Sequence, residues 1–93
     1  MKIEWNYSKN ATNRQKHQLD FSDAAEVLTG EHIVFQDARK DYGETRYITA
    51  GSLRERIVIL VYTMRGESYR IISMRKANER EQKAYKNRLK KTG

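Results

Sequence analysis

The sequence contains no cysteine and no proline. Lack of cysteine excludes disulfide staples, thiolate metal sites and cysteine nucleophiles, and it agrees with a reducing cytoplasm. Lack of proline excludes a rigid Pro-rich linker. Histidine occurs only at positions 17 and 32, with no carboxylate at ligand spacing from either, so neither a metal nor another cofactor is expected. Long apolar runs are also missing. The longest, residues 57–62, is far too short to span a bilayer. Residues 1–5 carry no apolar stretch of the secretory kind, so a cytoplasmic chain with no membrane role is expected. With 93 residues, 38% of them hydrophobic, the chain has material for one small domain, residues 1–93, and one modest core.

What the sequence does have is positive charge, unevenly placed. Residues 1–45 hold 6 Lys/Arg against 8 Asp/Glu, a net −2, whereas residues 46–93 hold 13 against 4, a net +9. A basic C-terminal half points to a polyanionic partner, most simply a nucleic acid. A soluble domain with a basic surface would show the same balance. No stretch carries Trp or Phe on the apolar face of a basic helix, so a membrane surface is a poor fit.

Residues 57–62 read as a central strand, being short, unbroken and rich in β-branched side chains. Arg65-Gly66-Glu67-Ser68 supplies turn chemistry, with Gly66 free to take a positive φ. Residues 69–74 return as the second strand of a hairpin. Upstream, Lys2-Ile3-Glu4-Trp5 alternates as a short edge strand, with Trp5 packing in or against the core. Ser8 is the expected N-cap of a mostly polar helix ending near His17, with Ala11 as its main apolar contact. Asp20 caps a second helix, with Asp23 at the capping-box position and Phe21, Ala24, Ala25 and Leu28 on one face. Thr29-Gly30 stops that helix. Residues 32–35 form a strand candidate, residues 36–43 a polar loop, and residues 44–50 another strand with Arg46, Ile48 and Ala50 on one side. Gly51-Ser52 is the expected turn into the central strand. Asn78 with Glu81 three residues later predicts the start of a last helix, residues 79–90, followed by a fraying basic tail. The order implies an α+β fold: two N-terminal helices, an antiparallel β-sheet meander and a C-terminal helix.

Trp5, Lys9-Asn10-Ala11, Asn13, Lys16-His17 and Phe21-Ser22-Asp23-Ala24-Ala25 resemble the N-terminal signature of the BrnT toxins. Glu44-x-Arg46, Gly51, Val61-Tyr62-Thr63, Arg65, Arg70-Ile71-Ile72-Ser73-x-Arg75-x-Ala77, Glu81 and Tyr85 follow that pattern in order and spacing. The sequence departs from it at Gln18-Leu19, where Gly-Val is usual, at Ala38 in place of a Pro, and at Met74 in place of an Ala. The resemblance implies a RelE-like fold and an endoribonuclease toxin acting on RNA. It also implies a BrnA-like ribbon-helix-helix antitoxin, a heterotetramer of two toxins and two antitoxins, and operator DNA contacted only through the antitoxin.

Metal-independent RNA cleavage needs a base for the 2′-OH, an acid for the leaving 5′-oxygen, and cations for the phosphorane charge. Histidine is the side-chain type suited to proton transfer near neutral pH, so His17 could serve as base or acid; equally, it could only complement the C-terminal end of its helix. His32 reads as structural. Arg46, Arg65, Arg70 and Arg75 could form a guanidinium cluster that grips phosphate, or each could pair with Glu44, Glu55, Glu67 or Glu81. Tyr85 could donate a phenolic proton or dock the last helix, and Tyr62 reads as core. Catalytic candidates are therefore His17, Arg46, Arg65, Arg75 and Tyr85. Lys9, Lys16, Arg70, Lys83 and Lys86 are the candidate RNA contacts. A non-catalytic module gripping RNA or ribosomes through the same basic face is the alternative, and a structural partner of an acidic protein is a third.

Overall fold

The computed structural model describes residues 1–92. Its elements run β1 (Lys2–Trp5), α1 (Tyr7–His17), a 3-10 turn (Phe21–Asp23), α2 (Ala24–Thr29), β2 (His32–Gln36), β3 (Arg46–Leu53), β4 (Arg56–Arg65), β5 (Ser68–Lys76) and α3 (Glu79–Thr92). The five strands make one sheet in the order β1-β5-β4-β3-β2. The fold is α+β, as the segment order implied. The meander β2 to β5 is antiparallel, but β1 runs parallel to β5, so the sheet is mixed. The physical reason is that the chain leaves β1 through α1 and returns only after three other strands, which frees β1 from the turn geometry of a hairpin.

The central strand is β4, flanked on both sides and buried through its middle, with its two ends exposed. Val58, Leu60 and Tyr62 face α1 and α2 and join Phe21, Val27, Ile71 and Met74 in the main core. Burying each such side chain contributes about 1.5–3 kcal/mol. Ile57 and Ile59 face the other way, with Ile33, Ile48 and Ala50, and meet Ala77, Tyr85 and Leu89 under α3.

Several local expectations are corrected. Asn6, not Ser8, caps α1, accepting the Lys9 N–H at 3.0 Å. Ala11 is exposed, and the sheet-facing side of α1 is Asn10 and Asn13. Their amides replace apolar contact by hydrogen bonding: Asn10 donates to Asp20 and accepts from Phe21 N, while Asn13 donates to the Leu19 carbonyl and accepts from Met74 N. Asp20 accepts from Ser22 N and caps the 3-10 turn, and Asp23 makes no capping bond to α2. Gly51 lies inside β3 rather than in a turn; a Cβ there would meet Val27 Cγ1 at 2.8 Å, so its absence lets α2 close on the sheet. The turn into β4 is instead Arg54-Glu55, with φ of 48° and 70°, the double positive φ of a tight two-residue hairpin. Arg54 is held there by Asp23 at 2.6 Å and by Glu26, which accepts its N–H at 2.7 Å. The capping box of α3 forms as expected, with Asn78 and Glu81 exchanging hydrogen bonds. That helix continues through Lys90 and Lys91 to Thr92, and Gly93 of the expected tail lies outside the described residues.

Candidate functional site

The hairpin β4-β5 turns at Gly66, φ 58°. Its register slips once: Val61 pairs with Ser73 but Tyr62 pairs with Ile71, leaving Ile72 as an extra residue on β5. This bulge decides the site. Arg70 and Arg75 are five residues apart, and plain alternation would set them on opposite faces. With Ile72 bulged, Arg70 pairs with Thr63 and Arg75 with Ile59, positions of the same parity on β4. Arg70, Ser73 and Arg75 therefore share the sheet face on which α3 lies.

Across the strands, one row on that face reads Glu4, Arg70, Thr63, Arg46. The backbones of Arg46 and Arg70 are two strand spacings apart, about 10 Å, with Thr63 between them. Arg65 follows Thr63 on the same face at the hairpin tip, and Arg75 lies two rows the other way. From Arg65 to the row of Arg75 the stripe is about 20 Å long. The four arginines thus form a line on one face rather than a single cup.

Each is held differently. Arg46 pairs with Glu44 at 3.2 Å and stacks on Tyr42, Cζ to ring centre 4.0 Å. Arg70 pairs with Glu4 at 3.4 Å across the parallel strands, a partner that alternation alone did not reveal. Arg75 binds Glu81 with both amino groups at 2.8 Å, so it also secures the capping box of α3. The Arg75 guanidinium, with the Asn78 N–H, holds the Glu81 carboxyl down at about 2. Arg65 is exposed at the tip. Tyr85 is buried and its phenol donates to the Glu31 carbonyl at 3.0 Å, which docks α3 beside β2. Burial pushes that phenol's pKa up.

The polar face of α1 opens a second feature. Lys9, Asn13, Lys16 and His17, with Ser8 and Thr12, line a groove of about 350 Å³ along the edge of β5 at Ile72 and Ser73. β1 ends at Trp5, opposite Ile71, so this part of the β5 edge has no strand beside it. Lys9, Lys16 and His17, singled out separately in the sequence, are thus gathered by one helix face. Ser73 borders the groove and shares a sheet face with Arg70 and Arg75. Lys83 is exposed on α3, and Lys86 lines a different groove with Arg56, Lys76 and Gln82, beyond the Arg75 row.

Sequence reasoning missed Asp37, Arg39 and Tyr42. Asp37 is buried, and Arg39 binds both its carboxylate oxygens at 2.8 and 2.9 Å, while Tyr42 donates to it at 3.2 Å. Arg39 holds the Asp37 carboxyl far below the usual range, and Asp37 raises Arg39 in return. Arg39 is also close enough for its charge to oppose protonation of Arg75. The only signal was Asp-x-Arg in a loop without periodicity. Among the described residues no three His, Asp or Glu side chains converge as a metal-ligand set, and no helix is long and apolar enough to cross a membrane.

A family model described as the ribonuclease toxin BrnT of type II toxin-antitoxin systems matches residues 5–81. The chain belongs to the BrnT family. The matched span begins at Trp5, takes in the α1 groove and the whole arginine stripe, and ends at Glu81, the partner of Arg75. BrnT membership makes this chain a ribonuclease toxin with an RNA target and an antitoxin partner. No curated protein matches the sequence.

Proposed function

We propose that this BrnT protein cleaves RNA without a metal, using Arg46 and Arg70 to hold the scissile phosphate and His17 to move a proton. The observation that carries this reading is the Glu4-Arg70-Thr63-Arg46 row on the α3 face of the sheet; the Lys9, Lys16 and His17 groove runs along the β5 edge at Ile72 and Ser73. A phosphate on Thr63 would meet a guanidinium from either side, the arrangement that stabilises charge developing on a phosphorane. Arg65 and Arg75 extend the stripe, so further phosphates of the same strand can be followed. Glu44 and Glu4 keep the two guanidiniums aligned until RNA displaces them. Lys9 and Lys16 would draw the strand toward His17, whose imidazole would accept the 2′-OH proton.

Arg46→Ala and Arg70→Ala test this. Each is expected to slow cleavage about a hundredfold, on the order of 3 kcal/mol. Each should cost no more than about 1 kcal/mol of stability, because the ion pairs removed are partly exposed. Arg75→Ala should lose stability as well, since it unpairs Glu81 from the α3 cap. Full cleavage by both the Arg46 and Arg70 variants would reject the reading. Growth arrest without any RNA decay would instead mark a binding module.

The partner is proposed to be a ribbon-helix-helix antitoxin whose acidic or amphipathic segment covers the hairpin and helix surface around Arg65, Arg70, Lys83 and Lys86. Because such domains dimerise, the complex would hold two toxins and two antitoxins in the cytoplasm and reach operator DNA only through the antitoxin.

A further inference from the structure

We propose that Asp37 is a positioning residue for RNA cleavage, fixing the loop between β2 and β3 so that Arg46 is aimed at the substrate through the ring of Tyr42. This rests on the reading of Arg46 as a phosphate contact. The loop has no helix or strand of its own, yet it is tied at one point. The Asp37 N–H donates to the Arg46 carbonyl at 2.8 Å, which closes residues 37–46 into a ring. The Asp37 side chain is 1% exposed, while that of its partner Arg39 is 72% exposed. Burying a carboxylate is costly unless its oxygens are satisfied. Here they take the Arg39 Nε and Nη2, the Arg39 N–H and the Tyr42 hydroxyl. The anchor therefore fixes both ends of Tyr42: the hydroxyl on Asp37, the ring under the Arg46 guanidinium.

The loop's other contacts serve the same alignment. Asp41 accepts the Gly43 N–H, and Gly43 takes a φ of 73° that turns the chain back toward β3. Thr63, in the centre of the arginine row, donates to the Thr45 carbonyl and ties the loop's end to β4. Arg46 is thus held from three directions: a ring below, Glu44 beside, and its own carbonyl on Asp37. An arginine on a free surface loop would sample many rotamers and meet the phosphate in few of them. A pre-aligned guanidinium needs no reorganisation when charge develops, and misplacement by about 1 Å can cost a hundredfold in rate. Asp37 itself touches no substrate in this arrangement. It also orients Arg39.

The test is a mutant cycle read by single-turnover cleavage of a labelled single-stranded RNA transcript, with and without ribosomes. Asp37→Asn keeps the side chain's shape but removes its charge. In the native background it is expected to lower the cleavage rate about tenfold or more while binding of the RNA changes less than threefold. In an Arg46→Ala background, which leaves the Asp37 anchor intact, the same change should cost less than about twofold, because nothing remains to be aimed. A purely structural residue would cost the same factor in both backgrounds, and that result overturns the proposal, as does a native-like rate for Asp37→Asn. Tyr42→Leu serves where Asp37→Asn folds poorly. It removes the ring and should repeat the pattern, with equal losses with and without Arg46 counting against the idea. An Arg46→Ala protein as active as the native one would overturn the phosphate-contact reading itself, whereas an impaired Arg46→Ala protein beside a native-like Asp37→Asn protein would overturn this proposal alone.

Discussion

Asn10 and Asn13 perform in α1 the task that leucines perform in most helices packed on a sheet. Both are buried, three residues apart, on the side that meets the core. Asn13 is the more exacting of the two, because its oxygen receives the Met74 N–H where β1 no longer reaches, and its amide feeds the Leu19 carbonyl. Truncation would leave two buried backbone groups without their side-chain partners, at roughly 1–3 kcal/mol for each group left unsatisfied. Asn13→Ala is accordingly expected to cost about 2 kcal/mol and to lower the melting temperature by roughly 10 °C. A calorimetric shift of only a degree or two would show that water or relaxation replaces these bonds. The same residue faces the α1 groove, so its loss should also disturb the setting of Lys9, Lys16 and His17.

At the scale of the elements, the β3-β4 turn carries visible strain. Arg54 and Glu55 both hold positive φ, a region in which a Cβ crowds the neighbouring carbonyl. Arg54 has Asp23 and Glu26 to offset the cost, but no hydrogen bond or ion pair among the described residues holds the Glu55 side chain. Glu55→Gly should therefore stabilise the protein, by about 0.5–1 kcal/mol after the entropy that glycine adds to the unfolded chain. Chemical denaturation would register it as a higher midpoint with an unchanged slope; a lower midpoint would mean that the turn is not strained. Gln18 is in the same region at φ 55°, at the position where the family pattern has glycine. The elements differ in how openly the sequence announces them. The hairpin β4-β5 was legible because a β-branched run, Gly66 and a second run coincide. The α3 cap was legible because Asn78 and Glu81 stand at the right spacing. The burial of α1 was not, because apolar periodicity cannot register a helix that docks by amide hydrogen bonds. The turn was misplaced to Gly51-Ser52 because glycine was credited with a bend when its role is to admit Val27. As for the candidate site, type and pattern were enough to propose Lys9, Lys16, His17 and the arginines. The Asp37 anchor and the Glu4 partner of Arg70 were not, since both depend on long-range placement of a loop and of a parallel strand.

For the whole molecule, the proposed acidic segment of the antitoxin would meet a strongly basic C-terminal half. With +9 on residues 46–93, association with an acidic antitoxin segment should be fast at low salt and slow markedly as salt rises, while apolar contacts set how long the complex lasts. Co-expression should yield a complex with the mass of two toxins and two antitoxins, and the toxin alone should be monomeric. A toxin that dimerises by itself, or an association rate indifferent to salt, would contradict this. The bulge at Ile72 gives the molecule one further property. In the manner of a frameshift, it divides β5 into two reading phases, so that even-numbered Arg70 and odd-numbered Arg75 speak to the same side. Parity then matters at this point more than identity. Deleting Ile72 would join Ile71 directly to Ser73 and leave Met74 in the core and Arg75 on the α3 face, because the residue removed is the one the ladder skips. Adding one residue after Ile72, with the single bulge kept, would instead turn Met74 out of the core and Arg75 into it. Far-ultraviolet dichroism and an assay for RNA decay would separate the two proteins: the deletion folded and active, the insertion neither.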